Sequence, residues 1–292
     1  MRREQLFAWV ALVLALGLVT GCGKKGPPIS TEVVAVKVAK LPTNADDPVW
    51  KNAPVCNVAL IPQDMVEPRL LRASTPSVQV QAASDDHRLA FHLTWSDSTR
   101  DDTPGAARFS DACAVQLPVD VAADLPAPQM GESGRPVHIT YWSSSWQAVA
   151  DGRKEDIRSL YPNATPDHYP FEAASLDPTS AEGRQMALRY APARALGNFM
   201  AGDGEHSVQD LMAEGPGSLT GVTDGGSDGR GRRLAQGWEV VITRPAPDAL
   251  SATRRAQVAF AVWQGHGQEV GARKMRSAWT PLSLGPASGG AK

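Results

Sequence analysis

Gln257-Val258-Ala259-Phe260-Ala261-Val262-Trp263 is apolar from Val258 onward and rich in β-branched and aromatic residues, the composition of a strong strand. It passes into Gln264-Gly265-His266-Gly267, a turn by composition. Ala272-Arg273-Lys274-Met275-Arg276-Ser277-Ala278-Trp279 follows, and then a second apolar segment over residues 279–284. Lys274 therefore stands between two arginines, at a turn that joins two apolar strands. By its residue type alone such a lysine reads as a solvated loop residue.

Upstream, residues 31–40, 55–61, 77–82, 88–95, 112–119, 137–146 and 238–244 have the same character. Residues 88–95 alternate, with Leu89, Phe91, Leu93 and Trp95 on one face and Ala90, His92 and Thr94 on the other. Period-two alternation marks a strand. Residues 112–119 repeat the pattern with Cys113, Val115 and Leu117, and Pro118 marks that strand's end. Trp50, within Asp46-Asp47-Pro48-Val49-Trp50, reads as a core plug. Residues 207–215 read as a short helix, with Ser207 as N-cap and Gly215 past its end. Residues 150–190 read as a polar surface excursion and 215–237 as a glycine-rich loop. With 23 prolines and 26 glycines among 292 residues, turns are frequent. The fold expected is all-β: a single β-sandwich of short antiparallel strands, with long loops and one or two minor helices.

The chain is 42% apolar and 21% charged, enough to bury a core. A net charge of −2 offers no basic field for nucleic acid. Arg2 and Arg3 precede an apolar stretch over residues 6–19 and then Thr20-Gly21-Cys22, the layout of a secretory signal. Leu18-Val19-Thr20-Gly21-Cys22 resembles the bacterial lipoprotein box, which implies diacylation of Cys22 and tethering at the periplasmic face of a membrane. Removing the residues before Cys22 takes away Arg2, Arg3 and Glu4, one net positive charge, and leaves −3. Two cysteines then remain, Cys56 and Cys113. An oxidising compartment permits a disulfide between them; two buried free thiols fit the sequence equally well.

The divisions expected are a lipoprotein signal peptide over 1–21, a tether and first strand over 22–45, the sandwich over 46–286 and a disordered tail over 287–292. There is no Cys-x-x-Cys-His for covalent haem. The histidines His87, His92, His138, His168, His206 and His266 are scattered without zinc spacing. Gly225-Gly226-Ser227-Asp228-Gly229 matches a nucleophile elbow only formally, because it lies in a glycine-rich run without the flanking strand and helix.

Several stretches in order carry a resemblance: Asp47-Pro48-Val49-Trp50, Arg108 through Pro118, Met130-Gly131-Glu132 with Pro136-Val137, Tyr141-Trp142, Ala195-Leu196-Gly197-Asn198, Ser207 through Gly215, Gly237-Trp238-Glu239-Val240, and Ala259 through Gly265 with Lys274 through Trp279. Together they resemble the haem-b-binding gamma subunits of ethylbenzene dehydrogenase, dimethylsulfide dehydrogenase and related periplasmic molybdoenzymes, over about residues 46–284. The resemblance implies a β-sandwich holding one haem b between a methionine, matching Met130, and a lysine, matching Lys274. Arg273 and Arg276 would then be placed to pair with haem propionates, against a reading as solubilising loop charge, and Trp142 and Trp263 to wall the haem, which core packing alone explains equally well. Two positions depart from the family pattern: Pro128-Gln129 before the Met-Gly turn, and Met275 after the lysine. The lipobox departs as well.

With both axial positions filled, such a site transfers electrons and leaves no open position for substrate. The function implied is an electron-transfer subunit rather than a catalytic one. Its partners would be an iron–sulfur subunit and a molybdenum-containing catalytic subunit, with a periplasmic cytochrome or quinone-linked acceptor. The alternative from the residues is a carbohydrate- or ligand-binding sandwich without haem, which would use exposed tryptophans as stacking faces.

Overall fold

The structure is a computed structural model. It describes residues 27–120, 124–154, 161–164, 180–189, 192–202, 205–248, 250 and 255–287. Cys22 and the apolar stretch over 6–19 lie outside these residues. Among the described residues no helix is long and apolar enough to cross a membrane.

The strands, in chain order, are β1 (Ile29–Ser30), β2 (Val33–Lys37), β3 (Val55–Ala59), β4 (Ile61–Pro62), β5 (Ser77–Ser84), β6 (Arg88–Ser96), β7 (Ala112–Pro118) and β8 (Val137–Ser143). They continue as β9 (Val208–Ala213), β10 (Thr220–Gly221), β11 (Asp228–Leu234), β12 (Gly237–Pro245), β13 (Ala256–Trp263), β14 (Met275–Arg276) and β15 (Thr280–Ala287). Among the described residues, three short helices, α1 (Ser144–Ala150), α2 (Ala181–Arg189) and α3 (Pro192–Ala195), are the minor elements.

One layer runs β11-β12-β6-β5 and continues through β3 on one half of β5 and through β2 on the other. The second layer runs β10-β9-β8-β7-β13, with β14 and β4 beyond β13. Strand β13 joins the two. Ala259 to Trp263 pairs with β7 in the second layer, while Ala256 to Val258 pairs with β15, which leads to β2 in the first. Most pairings are antiparallel, and β1–β3, β2–β5 and β15–β2 are parallel.

Alternation along each strand sorts the side chains. Leu89, Phe91, Leu93 and Trp95 of β6 meet Cys113, Val115 and Leu117 of β7 and Val258, Phe260 and Val262 of β13 between the sheets. This is the two-layer core expected of a sandwich. The opposite faces are covered as well. On the first sheet Trp50, in a 3-10 turn over Pro48–Lys51, packs on Ala83, Ala90 and Val241. On the second sheet Ala112, Ala114, Ile139, Leu211, Ala261 and Trp263 lie under Met130.

Several local expectations are corrected. The helix read over 207–215 is strand β9. Its residues Val208, Leu211 and Ala213 are buried, and a pairing edge on β8 was available to them; tertiary pairing overrides the capping pattern. The glycine-rich loop over 215–237 contains β11, where Gly229 and Gly231 let the strand pass against Val208 and the Trp142 ring. Beyond Ser143 the chain turns into α1, so the strand read over 137–146 is shorter. The helix α2 lies within the stretch read as irregular. Strand β15 runs to Ala287, paired with Lys37, and so takes in the first residue of the tail read over 287–292. Cys56 and Cys113 are both free and buried. Each packs in the core from a different sheet, Cys56 on β3 and Cys113 on β7, so the disulfide left open by the sequence is not formed.

Candidate functional site

The site is built on the outer face of the second sheet. Its floor is small: Ala261 of β13 stands opposite Ala114 of β7, and Ala114 opposite Tyr141 of β8. One step along, Ala259 stands opposite Gln116, and Gln116 opposite Ile139. Alanines at three of these positions leave room above the sheet that larger side chains would fill.

Two connections cross this floor. The one between β7 and β8 carries Met130, and the one between β13 and β14 carries Lys274. Lys274 Nζ lies 3.2 Å from Met130 Sδ and 5.1 Å from the centroid of the Trp263 ring. Both side chains are buried, Lys274 at 5% and Met130 at 7% exposure. The two residues are 144 apart in sequence, so only the fold brings them together. Burial, helped by the Arg276 charge, lowers the Lys274 pKa to about 8. A buried amine held this way loses its proton far more readily than a solvated one.

Alternation explains the lysine's direction. Met275 is fully buried in the core between the sheets, so its neighbours Lys274 and Arg276 turn to the outer face. Met275, noted in the sequence as a departure, thus anchors the lysine segment from below. Arg276 stands opposite Ala261 and lines the small cavity beside the lysine. Arg273 is half-buried and is not part of that lining.

Each crossing segment is pinned by an indole. Trp279 Nε1 donates to the Pro126 carbonyl at 2.7 Å, and Gln116 Nε2 donates to the Pro128 carbonyl at 3.1 Å; these hold the methionine segment. Trp263 Nε1 donates to the Gly271 carbonyl at 3.0 Å and holds the lysine segment. Met130 itself has a positive φ of 75°, uncommon for a residue with a long side chain. Gly131 follows at φ 77°, and a Cβ there would meet the Ala213 and Arg135 carbonyl oxygens at 2.9 Å. The Met-Gly pair is therefore a tight left-handed turn that aims the thioether at the floor.

Of the residues singled out in sequence, Met130, Lys274, Arg276 and Trp263 come together. Trp142 does not: it sits fully buried between the sheets, on the opposite face of β8 from Ile139 and Tyr141. Sequence reasoning missed Gln116, the alanine floor and the pinning role of Trp279. The outward parity of Ala114 and Gln116, opposite to Cys113, Val115 and Leu117, was the available signal.

A thioether and a readily deprotonated amine form a coherent metal donor set, one a soft sulfur and the other a hard nitrogen. Each is the other's near neighbour, and the causes that set the lysine pKa include no carboxylate. The enclosed space beside them is about 30 Å³, well below the ~300–1,000 Å³ of ligand cavities. The donors fit an iron ligand pair, while the two segments lie closed on each other.

The chain belongs to the ethylbenzene dehydrogenase family, whose model matches residues 47–214. It is 27% identical over 286 residues to a Haloferax mediterranei protein with the provisional name respiratory nitrate reductase heme subunit ORF7, covering 95% of this chain and 80% of that one. It is 25% identical over 230 residues to the chlorate reductase subunit gamma of Ideonella dechloratans, covering 76% of this chain and 70% of that one. Among solved structures, a family 9 carbohydrate-binding module from Caldicellulosiruptor kristjanssonii superposes at a TM-score of 0.42 and 8% identity, covering 89% of this chain and 100% of the module.

Proposed function

We propose that this protein is a haem b electron-transfer subunit of a respiratory reductase or dehydrogenase complex, with Met130 and Lys274 as the axial ligand pair. The observation that carries the reading is the buried Lys274–Met130 contact over an alanine floor. Membership of the ethylbenzene dehydrogenase family and the similarity to proteins named as haem and gamma subunits support it.

The bound haem would supply reversible one-electron chemistry. The chain's own residues do the rest. Met130 offers a thioether, which favours the reduced metal. Lys274 offers an amine that burial has already made easier to deprotonate. The Met-Gly turn and the two indole hydrogen bonds orient the donors, and both donors lie on connections between strands rather than within them. Arg276, beside the lysine, is placed to meet a propionate as a planar guanidinium fork, and Arg273 is a second candidate on the same segment. Two protein ligands leave no place for substrate, so the oxidation or reduction of substrate belongs to a partner.

The finer reading is that electrons pass between an iron–sulfur subunit of a molybdenum enzyme and a periplasmic cytochrome or quinone-linked acceptor. In it, the protein is held at the periplasmic face of a membrane through lipid on Cys22. The alternative of a saccharide-binding sandwich relied on exposed tryptophans. Among the described residues Trp50, Trp95, Trp142, Trp238 and Trp263 are buried, and Trp146 and Trp279 are half-buried, so none offers an open stacking face.

The test is a visible spectrum of protein loaded with haem. A Soret band with low-spin b-type bands on reduction is expected, and Met130→Ala and Lys274→Ala should each shift the spectrum away from low spin. A protein that stays colourless with haem in excess, or variants with unaltered spectra, would overturn the assignment.

A further inference from the structure

Arg244 lies near the end of β12 on the face turned into the sandwich, with the parity of Trp238, Val240 and Ile242. An apolar residue belongs at such a position, yet an arginine occupies it at 7% exposure. Its Nη1 donates to the Val115 carbonyl at a long 3.4 Å. Its Nε is buried with no partner, and among the described residues it forms no salt bridge. Burial lowers its pKa to about 10, with only the Asp210 charge acting the other way. A guanidinium taken from water without a paired anion is costly to hold in a fold.

The side chain lines a cavity of about 330 Å³, within the range of small-molecule sites. His138, Asp210, Asp248 and the rings of Pro118, Pro245 and Pro247 share the lining. Asp210 acts on the arginine only through its charge and forms no ion pair with it; its oxygens accept from the Thr140 hydroxyl at 2.7 Å and the Ser227 amide at 3.1 Å. His138 is half-buried; burial and the Arg244 charge lower its pKa, so the ring is neutral near pH 7 and can present one N–H. The cavity shares no lining residue with the space beside Lys274.

We propose that Arg244 anchors a second ligand site, separate from the Met130–Lys274 pair, which takes the carboxylate of a small organic acid. The guanidinium fork matches two carboxylate oxygens, and His138 stands on the same wall as a further donor. Asp210 and Asp248 line the cavity too, and their charges favour a single carboxylate over a phosphate dianion. Their side of the cavity suits hydroxyl groups on the acid.

The full chain is titrated calorimetrically with sodium lactate, sodium phosphate and sodium chloride at equal ionic strength, and its thermal midpoint is followed in each. The expected result is saturable binding and a raised midpoint with lactate alone. His138→Gln should weaken binding severalfold, Arg244→Lys at least tenfold, and Arg244→Met should abolish it. Equal midpoints in lactate and chloride, or a lactate response retained by Arg244→Met, would overturn the site. Phosphate binding tighter than lactate would overturn the carboxylate assignment. If Arg244→Met does not fold, Arg244→Lys decides, since it keeps the charge and loses the fork: unchanged affinity there counts against the proposal. The haem spectrum stays unchanged in all three variants, which separates this result from failure of the haem assignment.

Discussion

Lys274 is a residue whose environment opposes its own charge. With a pKa of about 8 in the fold against ~10.4 in the unfolded chain, the protonated amine penalises the haem-free protein below pH 8. Between those values the unfolded state binds more protons, so stability rises with pH, by about 3 kcal/mol in total. Lys274→Met removes the penalty. Haem-free Lys274→Met is therefore expected to be more stable than the parent by up to about 3 kcal/mol at pH 7, with the difference fading toward pH 10.5. Denaturant melts across that range measure it, and a pH-independent difference would contradict the buried-charge account. Gly131 is the second sensitive residue. Its φ of 77° and the two carbonyls 2.9 Å from a built Cβ predict that Gly131→Ala costs about 1–3 kcal/mol and weakens haem retention, both readable from one thermal melt followed in the Soret region.

At the scale of elements, β7 and β13 give one sheet two functions. Their odd and even positions face either the inter-sheet core or the ligand floor. Ala114 is 3% exposed on the floor side, opposite Ala261 and Tyr141. Ala114→Leu should keep the sandwich, with a circular dichroism spectrum like that of the parent. It should also fill the floor and reduce haem uptake by tenfold or more in a spectroscopic titration. Uptake equal to the parent's would show that the floor does not carry the cofactor. The strands themselves were legible because alternation was strong: residues 88–95 and 112–119 were assigned to the correct faces. Strand β9 was not, since Ser207 and Gly215 bracket it as they would a helix, and only the open edge of β8 made a strand the better solution. The pinning hydrogen bonds from Trp279 and Gln116 were equally hidden, because each joins positions 153 and 12 residues apart respectively.

For the whole molecule, the core between the sheets carries both described cysteines as free thiols. Burial pushes the Cys113 pKa well up, and burial with the Glu32 charge raises that of Cys56, so neither is a ready nucleophile. An aromatic disulfide reagent should therefore modify neither in the native protein and both after unfolding in urea, on residues 22–292 with Cys22 replaced by Ser. Fast labelling of the native state would show that the two layers open. The described sandwich leaves the Met130–Lys274 pair on the outer face of one sheet and the Arg244 cavity at the end of the strands.

Most of the strands and their alternating faces were set by local composition, because periodicity and turn chemistry act between near neighbours, and Met130 and Lys274 stand as ligand candidates by resemblance to a known family. The meeting of Lys274 with Met130, the alanine floor beneath them, the outward turn forced by Met275 and the exclusion of Trp142 were decided only by tertiary structure. Those contacts depend on which strands lie side by side, and a pairing between positions 144 residues apart leaves no trace in either neighbourhood.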